Sequence, residues 1–177
     1  MKKELFIHFS FLISLFILIS IFRGWFSFSY WPFWVGGVLG NFLVDIDHFI
    51  YIYFLRPHEL TSRRVDYMLG QKNLSSSLNL LAETREERKD LIFHTILFQL
   101  IFIALTFWVV TSTGSLLGRG MVLAFSLHLL VDQAVDLMEL GNLNTWVKFL
   151  PLKVEEDKHK LYWFGALTLL LIFGFLL

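Results

Sequence analysis

Eight ionisable side chains fall within sequence that is otherwise mostly apolar: His8, Asp45, Asp47, His48, His94, His128, Asp132 and Asp136. A charge at the centre of a bilayer costs on the order of 3 kcal/mol even on the gentler insertion scales, so a set this large demands mutual compensation. Asp45 and His48 are three residues apart and His128 and Asp132 four apart, spacings that place both members of a pair on one helix face. Helix bundles hold metals with carboxylates and imidazoles projected inward in this way. A ligand set of His8, Asp45, His48, His94, His128 and Asp132, free of sulfur, suits Zn²⁺, Mn²⁺ or Fe²⁺, and the acids leave room for one or two ions. A divalent ion would offset the carboxylates and generate a hydroxide nucleophile from bound water near neutral pH. Metal-assisted hydrolysis is the reaction class this chemistry indicates. Asp47, two residues from Asp45, faces elsewhere in a regular helix and stands as a further ligand or as the general base. Asp136 is expected to support a ligand or to sit as an interfacial charge, and His58 and His159, in connections, to be solvated.

The elements that must position these groups are membrane-spanning helices. Of 177 residues, 56% are hydrophobic and 20 are phenylalanine, against roughly 45–50% apolar content in soluble domains. Five runs, Leu5 to Phe22, Trp31 to Leu55, Leu91 to Val110, Met121 to Leu140 and Leu161 to Leu177, are each close to the length that crosses a bilayer. The expected fold is an all-α, polytopic membrane helix bundle of about five transmembrane helices in a single domain, 1–177. The first run follows Lys2 and Lys3 as a signal peptide would, but the small-residue cleavage pattern is missing around Ile21 to Phe28, so that helix is expected to be retained. Cytoplasmic segments carry the excess of Lys and Arg. A cytoplasmic N-terminus puts 13 of the 15 inside and leaves only Arg23 and Arg119 outside. This predicts a multi-pass protein of the cytoplasmic (inner) membrane with its C-terminus outside. A net charge of zero argues against a nucleic-acid partner, and the lack of cysteine excludes disulfides, thiolate metal sites and a Cys nucleophile.

With this topology, the ionisable groups on four spans lie roughly 5–18 Å from the cytoplasmic boundary of a hydrocarbon core about 30 Å thick. They share one layer, a result independent of the Lys and Arg count. The cytoplasmic connection 56–90 reads as ordered: Thr61 or Ser62 can cap a short helix stopped near Gly70, and Ser75 to Ser77 can start a second, with Leu78 and Leu81 on one face, that can run on into the third span. The 141–160 connection mixes Trp146, Phe149 and Leu150 with lysines, as suits an interfacial segment. Gly36, Gly37 and Gly40 permit close helix approach in the second span.

His8, the Val44-Asp45-Ile46-Asp47-His48 run, the His94-Thr95 pair after basic residues, and Ser126-Leu127-His128 with Asp132 together resemble the YdjM-like family of bacterial inner-membrane metal-dependent hydrolases, over roughly residues 5 to 140. More remotely, the order His, Asp, His, His-x-x-x-Asp is similar to zinc-dependent phospholipase C enzymes. The resemblance implies a divalent metal cofactor, zinc first, and a phosphoester substrate. Val44 stands where the family has a proline, and Lys89 and Asp90 replace a His-Arg pair that would hold an anionic substrate. Arg88 and Arg56 are the substitutes for that cation. The expected function is hydrolysis of a lipid-linked ester or phosphoester at a site open to the cytoplasmic leaflet. The alternatives are a divalent-cation or proton transporter, which needs polar groups continuing to the far side, and a metal-stabilised structural or partner-binding membrane protein.

Overall fold

The computed structural model describes residues 2–84, 87, 90–151 and 154–177. Among the described residues the secondary structure is helical throughout, with no strand. The elements are α1 (Lys2–Arg23), a 3₁₀ turn (Phe28–Tyr30), α2 (Trp31–Leu43), α3 (Ile46–Ile50), a π turn (Tyr51–Leu55), α4 (Leu60–Gly70), α5 (Leu74–Glu83), α6 (Ile96–Ser112), α7 (Leu116–Glu139), α8 (Asn144–Val147) and α9 (Asp157–Leu176). Four stretches are long and apolar enough to cross a membrane: Glu4–Arg23, Phe28–Leu55, Leu116–Glu139 and Asp157–Leu176. The fifth expected span, α6, is apolar but shorter, at 17 residues.

Helix α7 is the hub. It is 67% buried across its most apolar window, against 28–33% for the other three long stretches, whose outward faces carry exposed Phe6, Ile17, Phe28 and Phe175. In a lipid surrounding, as apolar as these side chains, helix association would have to come from close packing and polar contacts. Glycines provide the first along the α2–α7 seam: a Cβ on Gly36 or Gly40 would strike the carbonyl oxygens of Leu117 and Met121, and one on Gly120 would strike that of Phe33. The two helices therefore run side by side with backbones in contact. Around this seam Phe16, Phe33, Leu123 and Phe173 close an apolar core. Polar contacts provide the second, with Thr106 Oγ1 3.1 Å from Ser126 Oγ and the Gln133 amide donating to Gln99 Oε1 at 2.5 Å.

Helix termini at the end containing the 24–30 turn are conventionally made. Gly24 takes φ +65°, the Trp25 N–H reaches Ser20 O and the Gly24 N–H reaches Ile21 O, so α1 ends in a Schellman motif. Pro32 opens α2, and the Ser115 side chain accepts the Gly118 N–H to cap α7.

The opposite end departs from the expected regular spans in two places. The second span breaks after Leu43: Asp45 N, Asp47 N and His48 N donate to Phe42 O, Val44 O and Asp45 O, an i−3 pattern that winds the chain more tightly than an α-helix. It then loosens into the π turn, closed by Arg56 N–H to Tyr51 O at 2.8 Å. The third span does not begin at Leu91, and α5 does not run into it. Residues 91–95 form a non-helical strap, and α6 starts only after Thr95, whose side chain accepts the Phe98 N–H. Helices α4 and α5 form a hairpin over this end, with Val65 and Leu81 packed on Tyr51, Ile52 and Leu91. His159, expected to be solvated, is fully buried in α9, where its Nδ1 accepts the Leu143 N–H at 2.9 Å.

Candidate metal centre

Asp132 is the point on which the cluster converges. His94 Nε2 and His128 Nε2 lie 3.2 and 3.3 Å from its Oδ2, and His8 Nε2 lies 3.4 Å from its Oδ1. His128 and Asp132 come from one face of α7, His8 from the first turns of α1, and His94 from the strap. Potential ligand atoms of His8, His128 and Asp132 all fall within 4.8 Å of one another, and all three residues are buried. Asp45 Oδ1 stands 3.8 Å from His128 Nε2 on a side chain that is 41% exposed. His48 stacks on His94 with ring centroids 5.4 Å apart. Of the six expected ligands, His8, His128 and Asp132 therefore form a tight group of three; His94 touches Asp132 from the strap, and Asp45 and His48 stand beside them.

The outer nitrogens of the imidazoles show how the inner ones are poised. His8 Nδ1 faces Glu4 O at 2.9 Å, His94 Nδ1 faces Asp47 Oδ2 at 3.1 Å, and His128 Nδ1 faces Asn41 Oδ1 at 3.3 Å. Each partner is an acceptor, so each Nδ1 carries the proton and donates. In the neutral ring this leaves an Nε2 lone pair directed at the same carboxylate. His8 Nε2 is buried and makes no hydrogen bond. Three lone pairs and a carboxylate around one point repel unless a cation lies among them. Protons could supply it only by charging rings such as His8 and His128, whose centroids are 4.0 Å apart. A divalent ion meets the same demand with neutral rings, and an outer N–H held by an acceptor is the usual arrangement of a metal-ligating histidine. The donor set fits such an ion, with His8, His128 and Asp132 as the residues that would hold it and His94 in contact with Asp132 beside them.

Asp47 sits behind this group. Tight winding across 42–48 brings Asp45 and His48 to one side and turns Asp47 to another, toward the strap. Its carboxylate is fully buried and accepts the N–H groups of Ile92 at 3.0 Å and Phe93 at 2.6 Å, as well as the His94 ring. It holds an otherwise irregular segment in shape and fixes the orientation of His94.

A cavity of about 430 Å³ opens onto the cluster, lined by His8, Asp45, His48, His128 and Asp132 and walled by Phe42, Ile46, Phe49, Leu78 and Leu81. The last two come from α5, so the hairpin forms part of the wall. Arg56 is not in this cavity; it lies on another groove, where it donates to Asp90 Oδ2 at 2.6 Å. Arg88 falls outside the described residues. Asp136 accepts the Trp146 Nε1–H at 2.6 Å, which ties α8 to α7 close to His94. Sequence reasoning missed Asn41, whose side chain meets His128 across the α2–α7 seam; a lone amide in an apolar span was the signal that could have found it. The partner of His8 is the Glu4 main-chain carbonyl one turn back, a contact that any residue at that position supplies.

Fold and cluster together define an all-helical chain, apolar enough to cross a membrane, with a buried His/Asp group able to bind metal. No family model matches the chain, and no curated protein or solved structure is detectably similar to it.

Proposed function

We propose that this chain is a metal-dependent hydrolase of the cytoplasmic membrane, with its N-terminus and the α4–α5 hairpin on the cytoplasmic side, acting on a lipid-linked ester, with a phosphoester preferred. The observation that carries the reading is the convergence of three imidazole Nε2 atoms on Asp132 at the wall of an apolar cavity. A bound divalent ion supplies the electrophile that polarises the ester and lowers the pKa of water. His8, His128 and Asp132 hold that position with His94 in contact with Asp132 beside them, while Asp47, Glu4 and Asn41 fix the rings. Asp45, partly exposed on the cavity wall, is placed to take a proton from an attacking water. Phe42, Ile46, Phe49 and Leu78 suit an acyl or isoprenoid tail, which reaches this depth by lateral diffusion. The resemblance of the motif order to YdjM-like hydrolases supports the same reaction class, and zinc is the first candidate ion. Past His128, the bundle is closed by fully buried Leu123, Phe16 and Phe33, which favours a dead-end site over an ion pathway.

The test is metal analysis of purified protein followed by assay of phosphodiester and carboxyl ester lipids in detergent. Stoichiometric metal and metal-dependent turnover of one ester class are expected. Full metal loading without turnover of any ester, combined with cation uptake into reconstituted vesicles, would replace this reading with transport.

A further inference from the structure

A second cavity, of about 680 Å³, lies on the outside of the bundle and shares no lining residue with the first. Its floor is apolar, formed by Leu97, Phe98 and Ile101 of α6 with Phe149, and Ile101 is 65% exposed. Its rim is charged: Arg56 donates to Asp90 Oδ2 at 2.6 Å, and Lys148 pairs with Asp90 Oδ1. Among the described residues, the charged side chains lining the groove are two cations and one anion. Glu59 approaches Arg56 at 3.9 Å, but it lies outside the groove lining and its other oxygen accepts the Tyr51 hydroxyl. The side chains of Arg56 and Lys148 remain 52% and 46% exposed, so each keeps donors available while bridged by one carboxylate. Cations at the hairpin end above an apolar trough along a helix match an anionic headgroup joined to an acyl chain.

We propose that this groove binds an anionic phospholipid, with its phosphate between Arg56 and Lys148 and an acyl chain along Leu97, Phe98 and Ile101. In this arrangement Asp90 competes with the phosphate for the two cations and sets how strongly the lipid is held. The site goes beyond the proposed hydrolase activity and its occupancy can be read without turnover.

The experiment reconstitutes the full chain in phosphatidylcholine vesicles and compares chain-labelled spin probes of phosphatidic acid and phosphatidylcholine by electron paramagnetic resonance. Phosphatidic acid should be immobilised in preference, and R56Q/K148Q should reduce the preference by about fivefold per cation lost. D90N should raise it, an opposite sign that a folding defect cannot produce. Soluble glycerol phosphate at millimolar concentration should leave the preference in place; displacement of the probe by it would overturn the lipid assignment in favour of a headgroup site alone. An unchanged preference in R56Q/K148Q, or a lowered one in D90N, overturns the proposal while the membrane reading stands. The absence of any immobilised lipid would overturn both.

Discussion

At the end of the bundle away from the hairpin, helices meet through rings, methyl groups and glycine backbones: Phe16 on Phe33 with centroids 4.2 Å apart, Gly174 against Ile19, and Gly36 against Leu117. At the hairpin end, α1, the α2–α3 break, the strap and α7 instead bring imidazoles and carboxylates together. The first end is made of regular helices with ordinary caps; the second contains the tightened turn at 42–48, the π turn and the strap. Straight helices pack well but present donors only along their own faces, at fixed intervals. Bringing imidazoles from three segments to one carboxylate, with a fourth segment supplying Asp47 behind them, requires the chain to leave regular geometry, and the close-packed apolar end supplies the rigid frame against which it can do so.

Breaking the polar end at its centre should have the largest effect. Asp132→Ala removes the carboxylate shared by three imidazoles, and metal affinity should fall beyond the 10–100-fold range typical of changes to supporting groups. Elemental analysis of purified protein reads it, and metal retained at the wild-type level would break the comparison. Breaking the apolar end should leave chemistry intact and cost stability: Gly36→Leu drives a side chain into the Leu117 backbone, at about 3 kcal/mol, the upper part of the overpacking range, read as a fall in the thermal unfolding midpoint in detergent. Asp47→Asn sharpens the contrast within the polar end. It should weaken metal binding by about 10–100-fold while Asp132, His8 and His128 stay in place, as measured by competition with a chelating dye. Thr106→Val removes a contact between regular helices and should cost only about 0.6 kcal/mol, the average for such bonds in membranes.

The smallest effect is expected at the rim. Hydrogen bonds from Lys148 and then Arg56 hold the Asp90 carboxyl below the usual carboxylate range. A carboxyl with a depressed pKa contributes stability that is present above its unfolded value, near ~3.9, and is lost as pH falls through the folded one. The exposed triad should therefore loosen only in acid, with a change well below about 1 kcal/mol, and D90N should abolish that pH dependence in unfolding midpoints taken between neutral and acid pH.

Much of this contrast was legible in the sequence. Hydrophobic runs marked the helices, the glycines marked close approach in the second span without its partner α7, and i, i+3 and i, i+4 spacings marked Asp45 with His48 and His128 with Asp132. The strap was not legible, because Leu91, Ile92 and Phe93 read as helix on hydropathy alone; their conformation is fixed by a carboxylate 45 residues earlier, through Ile92 N–H on Asp47. Tertiary contact overrode local pattern there. His159 was missed for the same reason: its place in a connection suggested water, whereas the Leu143 backbone supplies its partner.

The distribution of the cluster along the chain also sets an order of events during synthesis. His8 is made early and Asp132 late, and the chain emerges from the N-terminus at a few residues per second or faster. Until α7 has been made, His8 and His94 lack the carboxylate on which they converge, whereas Asp47 can already meet the Ile92 and Phe93 N–H groups. Shaping of the strap can therefore precede closure of the cluster, which waits on the last of its contributors in chain order.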